Sequence, residues 1–272
     1  MAYAVDITSP DDPRVDDFRD LSTADRRPDR PGGKGLVIGE GTVVVERMLG
    51  TPFEPYALLG VARRYDQLCG QLRGLEVPFY RASADTMATI VGFHLNRGVL
   101  AVAGRPAPRS PRDLLAAART IAVLEGVNDH ENLGSIFRNA AALGVDAVFL
   151  SGRCADPLYR RSVRVSMGHV LRVPFAVAAS WPDLLGELQR RGFSTVALTP
   201  AQPSLPLAHA VASEKVAFVL GAEGPGLSEE TLESTDVRAH IPMTTGVDSL
   251  NVATAAAVAF YERARLSEDA SR

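Results

Sequence analysis

Three short blocks of this sequence hold residues whose types and spacing suit chemistry. The first is Glu125-Gly126-Val127-Asn128-Asp129-His130-Glu131-Asn132-Leu133-Gly134-Ser135-Ile136-Phe137-Arg138-Asn139-Ala140, where an apolar run feeds a polar loop and then a helical pattern. A helix starting there offers unpaired N–H groups to an anion. Arg138 follows Asn132 by nearly two turns, and its long side chain can reach back. The second block is Leu220-Gly221-Ala222-Glu223-Gly224-Pro225-Gly226-Leu227. Glycines let the main chain come close to a ligand. Their order, G-x-x-G-x-G, is not the dinucleotide-binding order G-x-G-x-x-G. The third block, Ile241-Pro242-Met243-Thr244-Thr245-Gly246-Val247-Asp248-Ser249-Leu250-Asn251-Val252, leads into Ala253-Thr254-Ala255-Ala256-Ala257. Side chains that small allow close packing. Taken singly, each block is equally compatible with a capped helix or a tight turn.

The elements around them read as two α/β alternations. In the first half, strands are expected near Leu36–Gly39, Tyr56–Val61, Pro78–Ala82 and Val99–Ala103, with helices over Thr42–Leu49, Tyr65–Arg73 and Ala84–Val91. Residues 105–116 form a linker, because Pro106, Pro108 and Pro111 cannot sit inside a helix or a central strand. Strands then follow at Thr120–Leu124, Ala147–Leu150, Phe175–Ala179, Thr195–Leu198, Val216–Leu220 and Val237–Ile241. Helices are expected over Asn132–Leu143, Leu158–Val165, Ser180–Arg191 and Leu250–Arg265, with a short acidic one capped by Ser228. Runs such as Val216-Ala217-Phe218-Val219-Leu220 are apolar throughout, as in a parallel sheet covered on both faces. Ligands of such sheets bind beyond the C-terminal strand ends, where all three blocks fall.

Composition narrows the classes. The chain has 272 residues, 46% hydrophobic and 22% charged, enough to build a core without disulfides or metal. Cys69 and Cys154 have no metal-ligand spacing and read as reduced thiols. The start, MAYAVDITSPDDPR, lacks the basic residues and apolar stretch of a secretory signal, and no apolar run is long enough to span a bilayer. A cytoplasmic protein is expected. Residues 1–33, rich in Asp, Arg and Pro, read as an arm, poorly ordered or extended. The net charge is −3, yet Arg153, Arg160, Arg161, Arg164, His169 and Arg172 form a basic island opposed by Asp156 alone. A local patch of arginine can hold phosphates on an acidic chain.

Together and in this order, the blocks resemble the three motifs of the SpoU/TrmH family of RNA ribose 2′-O-methyltransferases, in the SPOUT class. Asn132, Gly134 and Arg138 are similar to the family's Asn-x-Gly…Arg pattern. Gly221, Glu223 and Gly226 are similar to its Gly-x-Glu-x-x-Gly loop. Ile241, Pro242, Met243, Ser249, Leu250, Asn251 and Val252 are similar to its Ile-Pro-Met…Ser-Leu-Asn-Val block. Arg164-Val165-Ser166-Met167-Gly168 resembles the stretch after the first motif, and residues 92–102 resemble the end of a substrate-binding domain these enzymes carry. The resemblance spans about residues 117–265. Asn139 departs from it, since many members have Thr after the arginine.

The resemblance implies an α/β protein with a C-terminal knotted (trefoil) parallel-sheet SPOUT domain over 117–272 and a smaller N-terminal α/β domain over 34–104 that binds RNA. It implies S-adenosylmethionine as cofactor, rRNA or tRNA as substrate, a homodimer, and neither metal nor membrane. Main-chain groups at Gly221, Ile241 and Leu250 would grip the methyl donor, with Leu220, Gly226 and Met243 beside them. Arg138, Asn132, Glu223, Ser249 and Asn251 would form the catalytic set. In family descriptions Arg138 is a general base; a free guanidinium holds its proton far above neutral pH, so the alternative keeps it charged, holding a phosphate and stabilising the developing alkoxide. Asn132 and Ser249 would position ribose and phosphate, Glu223 would pair with Arg138 or face the sulfonium, and Asn251 would orient its loop. Arg153, Arg160, Arg161, Arg164 and Arg172 would hold RNA. Two rivals stand beside this reading: a non-catalytic RNA-binding protein on the same scaffold, and a nucleotide-dependent enzyme on an unknotted sheet.

Overall fold

The computed structural model describes residues 2–21, 35–247 and 249–269. The chain divides into two compact units, Met1–Ala107 with Leu158–Arg172, and Pro108–Pro157 with Val173–Arg272.

The first unit holds a five-stranded sheet of β1 (Tyr3–Asp6), β2 (Val37–Glu40), β3 (Ala57–Gly60), β4 (Pro78–Arg81) and β5 (Val99–Ala103), in the order β1-β4-β3-β5-β2. β1, β4 and β3 run parallel, while β5 is antiparallel to both β3 and β2. The helices are α1 (Thr42–Met48), α2 (Ala62–Leu68) and α3 (Ala84–Val91). Ser83 Oγ accepts from Thr86 N at 3.1 Å to start α3, and Gly92, at φ 83°, ends it.

Two expectations are corrected in this unit. Residues 2–21 are not an extended arm. β1 pairs with β4, and a 3-10 turn over Pro13–Phe18 buries Val15 and Phe18 completely among Ile38, Leu59 and Ile90. The remainder of that expected arm lies outside the described residues. Residues 158–172, read from the sequence as part of the C-terminal domain, belong here instead. Arg160 explains part of this. It donates to Glu40 Oε2 at 2.8 Å with both side chains mostly buried, and its guanidinium lies 4.5 Å from the centroid of Phe93. A buried carboxylate requires such a partner.

The second unit is a seven-stranded sheet, parallel throughout, as the apolar runs require. In chain order it comprises α4 (Pro111–Leu115), β6 (Thr120–Glu125), α5 (His130–Ala142) and β7 (Ala147–Leu150). After α6 (Arg160–Val165), which lies in the first unit, come β8 (Phe175–Val177), α7 (Trp181–Arg190), β9 (Phe193–Leu198), β10 (Leu205–Pro206) and α8 (Leu207–Ala210). β11 (Lys215–Gly221), α9 (Glu229–Ser234), β12 (Val237–His240) and α10 (Val252–Asp269) complete it. The strand order is β10-β12-β9-β11-β6-β7-β8. The expected linker therefore ends early, because α4 buries Leu115 in the core of this unit. Sequence periodicity does not disclose β10 or α8, which are two and four residues long.

This sheet gathers the three blocks. β6 and β11 are neighbours in register, so Leu220 stands beside Leu124 and Gly221 beside Glu125. β12 lies two strands from β11, across β9. α10 then returns against α5 and β11: Asn139 Nδ2 donates to Ala253 O at 2.9 Å, and Phe260 meets Phe218 with centroids 5.8 Å apart. Among the described residues no helix is long and apolar enough to cross a membrane.

Phe260 is fully buried and fixes α10 to the sheet. Phe260→Ala should lower unfolding stability by about 3–5 kcal/mol, read by chemical denaturation. A loss under about 1 kcal/mol would mean that α10 is held elsewhere.

Candidate functional site

The first block leaves β6 through Gly126, at φ +66°, whose N–H donates to Ser151 Oγ at 3.0 Å. α5 begins at His130, earlier than expected, with Asp129 as its cap. Asp129 Oδ1 accepts from Glu131 N at 2.9 Å and from Asn132 N at 2.8 Å. The carboxylate thus occupies main-chain donors that the sequence reading offered to an anion. That expectation is corrected, because the helix start is satisfied from within. Asn132 sits in the first turn, half-buried, with its side chain free for another partner.

The second block is a tight return. Gly226 N donates to Ala222 O at 3.0 Å, with Gly224 and Gly226 at φ +85° and +71°. Gly221 has a more specific need. A Cβ on it would stand 2.3 Å from Gly226 C and 2.4 Å from Leu227 N. The missing side chain lets the loop close on itself.

In the third block, Asn251 is the residue before α10. Its Oδ1 accepts from Ala253 N at 3.0 Å and Thr254 N at 3.2 Å, capping the helix. Its Nδ2 donates to Asn132 Oδ1 and to Glu223 Oε1, both at 2.7 Å. An amide has two donors and an oxygen with two lone pairs. All are used here, and one residue from each block meets at this point.

Beside this junction lies a cavity of about 420 Å³. Its lining includes every residue the resemblance assigned to the methyl donor: Leu220, Gly221, Gly226, Ile241, Met243 and Leu250. Glu223, Ser249 and Asn251 also line it, whereas Asn132 and Arg138 do not. Leu198, Leu220, Ala239, Ile241 and Ala255 make much of the lining apolar, and Glu223 is the one acidic side chain among the lining residues, which include no Lys or Arg. The size falls in the range of small-molecule sites, roughly 300–1,000 Å³. The chemistry suits an apolar or cationic ligand better than a polyphosphate. His240, a lining residue that the sequence reading missed, has Nδ1 3.0 Å from Ser204 Oγ. Its place at the end of β12 is the signal that could have found it.

Arg138 is exposed on α5 and makes no hydrogen bond or ion pair among the described residues. The basic island is split between the units. Arg153 is exposed in the second, while Arg160, Arg161, Arg164 and Arg172 lie in the first. Arg161 and Arg172 are exposed, Arg164 is half-buried, and Arg160 is committed to Glu40.

A parallel α/β sheet carries, beyond its strand ends, a cavity lined by the second and third blocks and joined to the first through Asn251, and this fold matches that of SPOUT-class methyltransferases. The sequence pattern of the SpoU rRNA Methylase family matches residues 119–261, more than half of the chain, and the protein belongs to that family of RNA methyltransferases. It is 60% identical to an uncharacterized tRNA/rRNA methyltransferase of Mycobacterium tuberculosis over 96% of this chain and 91% of that one. It is 31% identical to the 23S rRNA (guanosine(2553)-2′-O)-methyltransferase RlmP of Bacillus subtilis, over 67% and 71% of the two chains. Among solved structures it is similar to an AdoMet-bound rRNA methyltransferase from Sinorhizobium meliloti, with a TM-score of 0.81, 25% identity, and coverage of 97% and 98%.

Two substitutions separate the capping and bridging roles of Asn251. Asn251→Ser keeps an oxygen for the helix cap and should melt near the wild-type temperature. It loses both bridging donors, so methyl transfer should fall on the order of ten- to a hundred-fold in kcat/KM. Asn251→Ala should lose about 1 kcal/mol of stability as well. A serine variant with wild-type turnover would show that the bridge is dispensable.

Proposed function

We propose that the protein transfers a methyl group from S-adenosylmethionine to a ribose 2′-hydroxyl of structured rRNA or tRNA. The observation that carries this reading is the junction at Asn251, which joins residues of all three motifs at the mouth of a cavity that holds a carboxylate and no basic side chain except His240. The 2′-O activity named for the Bacillus subtilis relative and the AdoMet in the Sinorhizobium meliloti structure support it.

S-adenosylmethionine supplies a methyl group already activated on a positive sulfur. Main-chain groups at Gly221, Ile241 and Leu250 bind and orient it, and Leu220, Met243 and the Gly226 turn exclude water around it. Glu223 favours a cation at this end of the cavity, and the carboxylate keeps its orientation through Asn251. Asn132 and Ser249 position the ribose and its phosphate. Arg138 stays charged, holds the neighbouring phosphate and stabilises the 2′-oxygen as its proton passes to solvent water, the new carbon–oxygen bond replacing the methyl–sulfur bond and leaving S-adenosylhomocysteine. Alignment of the two reactants is the larger part of such catalysis. Arg153, Arg161, Arg164 and Arg172 hold the RNA backbone, which positions the substrate without specifying its sequence. The protein works in the cytoplasm as a homodimer, and the exposed Thr254, Val258 and Tyr261 of α10 suit a subunit contact. The C-terminal segment is threaded as a trefoil knot.

Methyl-labelled S-adenosylmethionine, incubated with the protein and total RNA, tests the reaction when the RNA is digested to nucleosides and analysed by mass spectrometry. Label is expected on ribose and should fall by about a hundred-fold or more for Arg138→Ala, with S-adenosylmethionine affinity retained. Label on bases would contradict the ribose assignment, and RNA binding without label would favour a non-catalytic binder. RNA affinity should also fall linearly with the logarithm of salt concentration, and Arg153→Ala should flatten that slope by about one. A flat response in the wild type would remove the arginines from the account.

A further inference from the structure

Glu125 ends β6 and is buried, with its side chain 4% exposed. Its Oε2 accepts from Ser228 N at 3.0 Å, and its Oε1 accepts from Ser228 Oγ at 2.8 Å and from Arg153 Nη2 at 3.3 Å. Removing a carboxylate from water is costly unless hydrogen bonds replace the lost hydration. Here the replacement comes chiefly from one residue, Ser228, which lies just beyond the glycine turn. Ser228 Oγ in turn accepts from Thr231 N at 3.3 Å to cap α9, and Thr231 Oγ1 accepts from Trp181 Nε1 at 2.7 Å.

The consequence concerns the second block. That loop is bounded on one side by β11, which pairs with β6 up to Gly221 and Glu125. On the other side it is bounded by Ser228, which is bonded to the same Glu125. Both ends of the Gly221–Leu227 turn are therefore referred to a single residue on the neighbouring strand. Gly126, next in sequence, continues the contact, because a Cβ placed on it would stand 3.7 Å from Ala222 Cβ. The turn itself closes so tightly that Gly221 tolerates no side chain. A loop so short and closed transmits any shift of its far end to Gly221, Glu223 and Gly226, which line the cavity.

We infer that Glu125 is a positioning residue for the methyl-donor loop, acting through Ser228 to fix where Gly221, Glu223 and Gly226 stand in the cavity. This rests on the reading of the cavity as the S-adenosylmethionine site. Glu125 does not line the cavity, so its effect is on the loop and not on the reacting atoms.

Isothermal titration with S-adenosylmethionine, alongside thermal melting and steady-state kinetics, tests the inference. Glu125→Ala should weaken S-adenosylmethionine binding by about ten-fold or more, with the change falling on KM for the methyl donor more than on kcat. Glu125→Gln keeps one oxygen for Ser228 N–H and should recover most of that affinity. Ser228→Ala keeps the main-chain donor and should weaken binding by only about three-fold. If Glu125→Ala does not fold, the graded affinities of the other two variants carry the same test. Wild-type affinity in the folded variants, with only the melting temperature lowered, would overturn the inference and leave a purely structural anchor for α9. A wild-type protein that binds no S-adenosylmethionine would overturn the underlying reading and this inference with it.

Discussion

The site depends on one side-chain amide. Asn251 donates twice and accepts twice, and its four partners belong to three segments of the chain. Asn132 lies 119 residues away and Glu223 lies 28 away. Loops fixed separately each retain their own conformational freedom, and ordering them costs free energy at every residue. A shared, fully satisfied partner ties that ordering to the start of α10, which is itself held by packing. The bond to Glu223 is charge-assisted and so stronger than a neutral pair. The amide converts three adjacent loops into one preorganised site.

The rest of the second unit supports that junction. The register of β6 with β11 puts the first two blocks side by side. Phe260 and Asn139 bring α10 against the sheet and α5, so that Asn251 arrives within reach of both. Asp129 closes the start of α5 and leaves the Asn132 side chain to face Asn251. The resulting cavity is apolar, with a carboxylate and no Lys or Arg among its lining residues. Phosphates would meet repulsion from Glu223 there, whereas a sulfonium would meet attraction. The sign of that charge favours the methyl-donor reading over a nucleotide-dependent one.

Much of this was legible in the sequence, and the exceptions have two causes, one local and one long-range. The three blocks could be found because each follows an apolar strand run, and the parallel sheet could be read from the same runs. The cap of α5 could not be ranked locally, since Asn128, Asp129 and Asn132 are all good cap formers within five positions. The folding of residues 2–21 was hidden because Asp6 pairs with Arg81, far along the chain, while the local composition reads as an arm. Arg160 stands in a basic run of the sequence, and its partner Glu40 lies 120 residues away. The six cavity residues were found through the motifs, but His240 and Glu125 belong to no motif position that the reading assigned. Apart from the α5 cap, whose partners are local, what the sequence hides is a partner set by long-range pairing.

The most direct test is a crystal structure of the protein with S-adenosylhomocysteine, the product of methyl transfer. The adenosine should lie within the cavity of about 420 Å³, contacted by main-chain atoms of Gly221, Ile241 and Leu250, with Asn251 still bonded to Asn132 and Glu223. A ligand bound elsewhere, or one gripped by side chains while Asn251 is released from both partners, would contradict it.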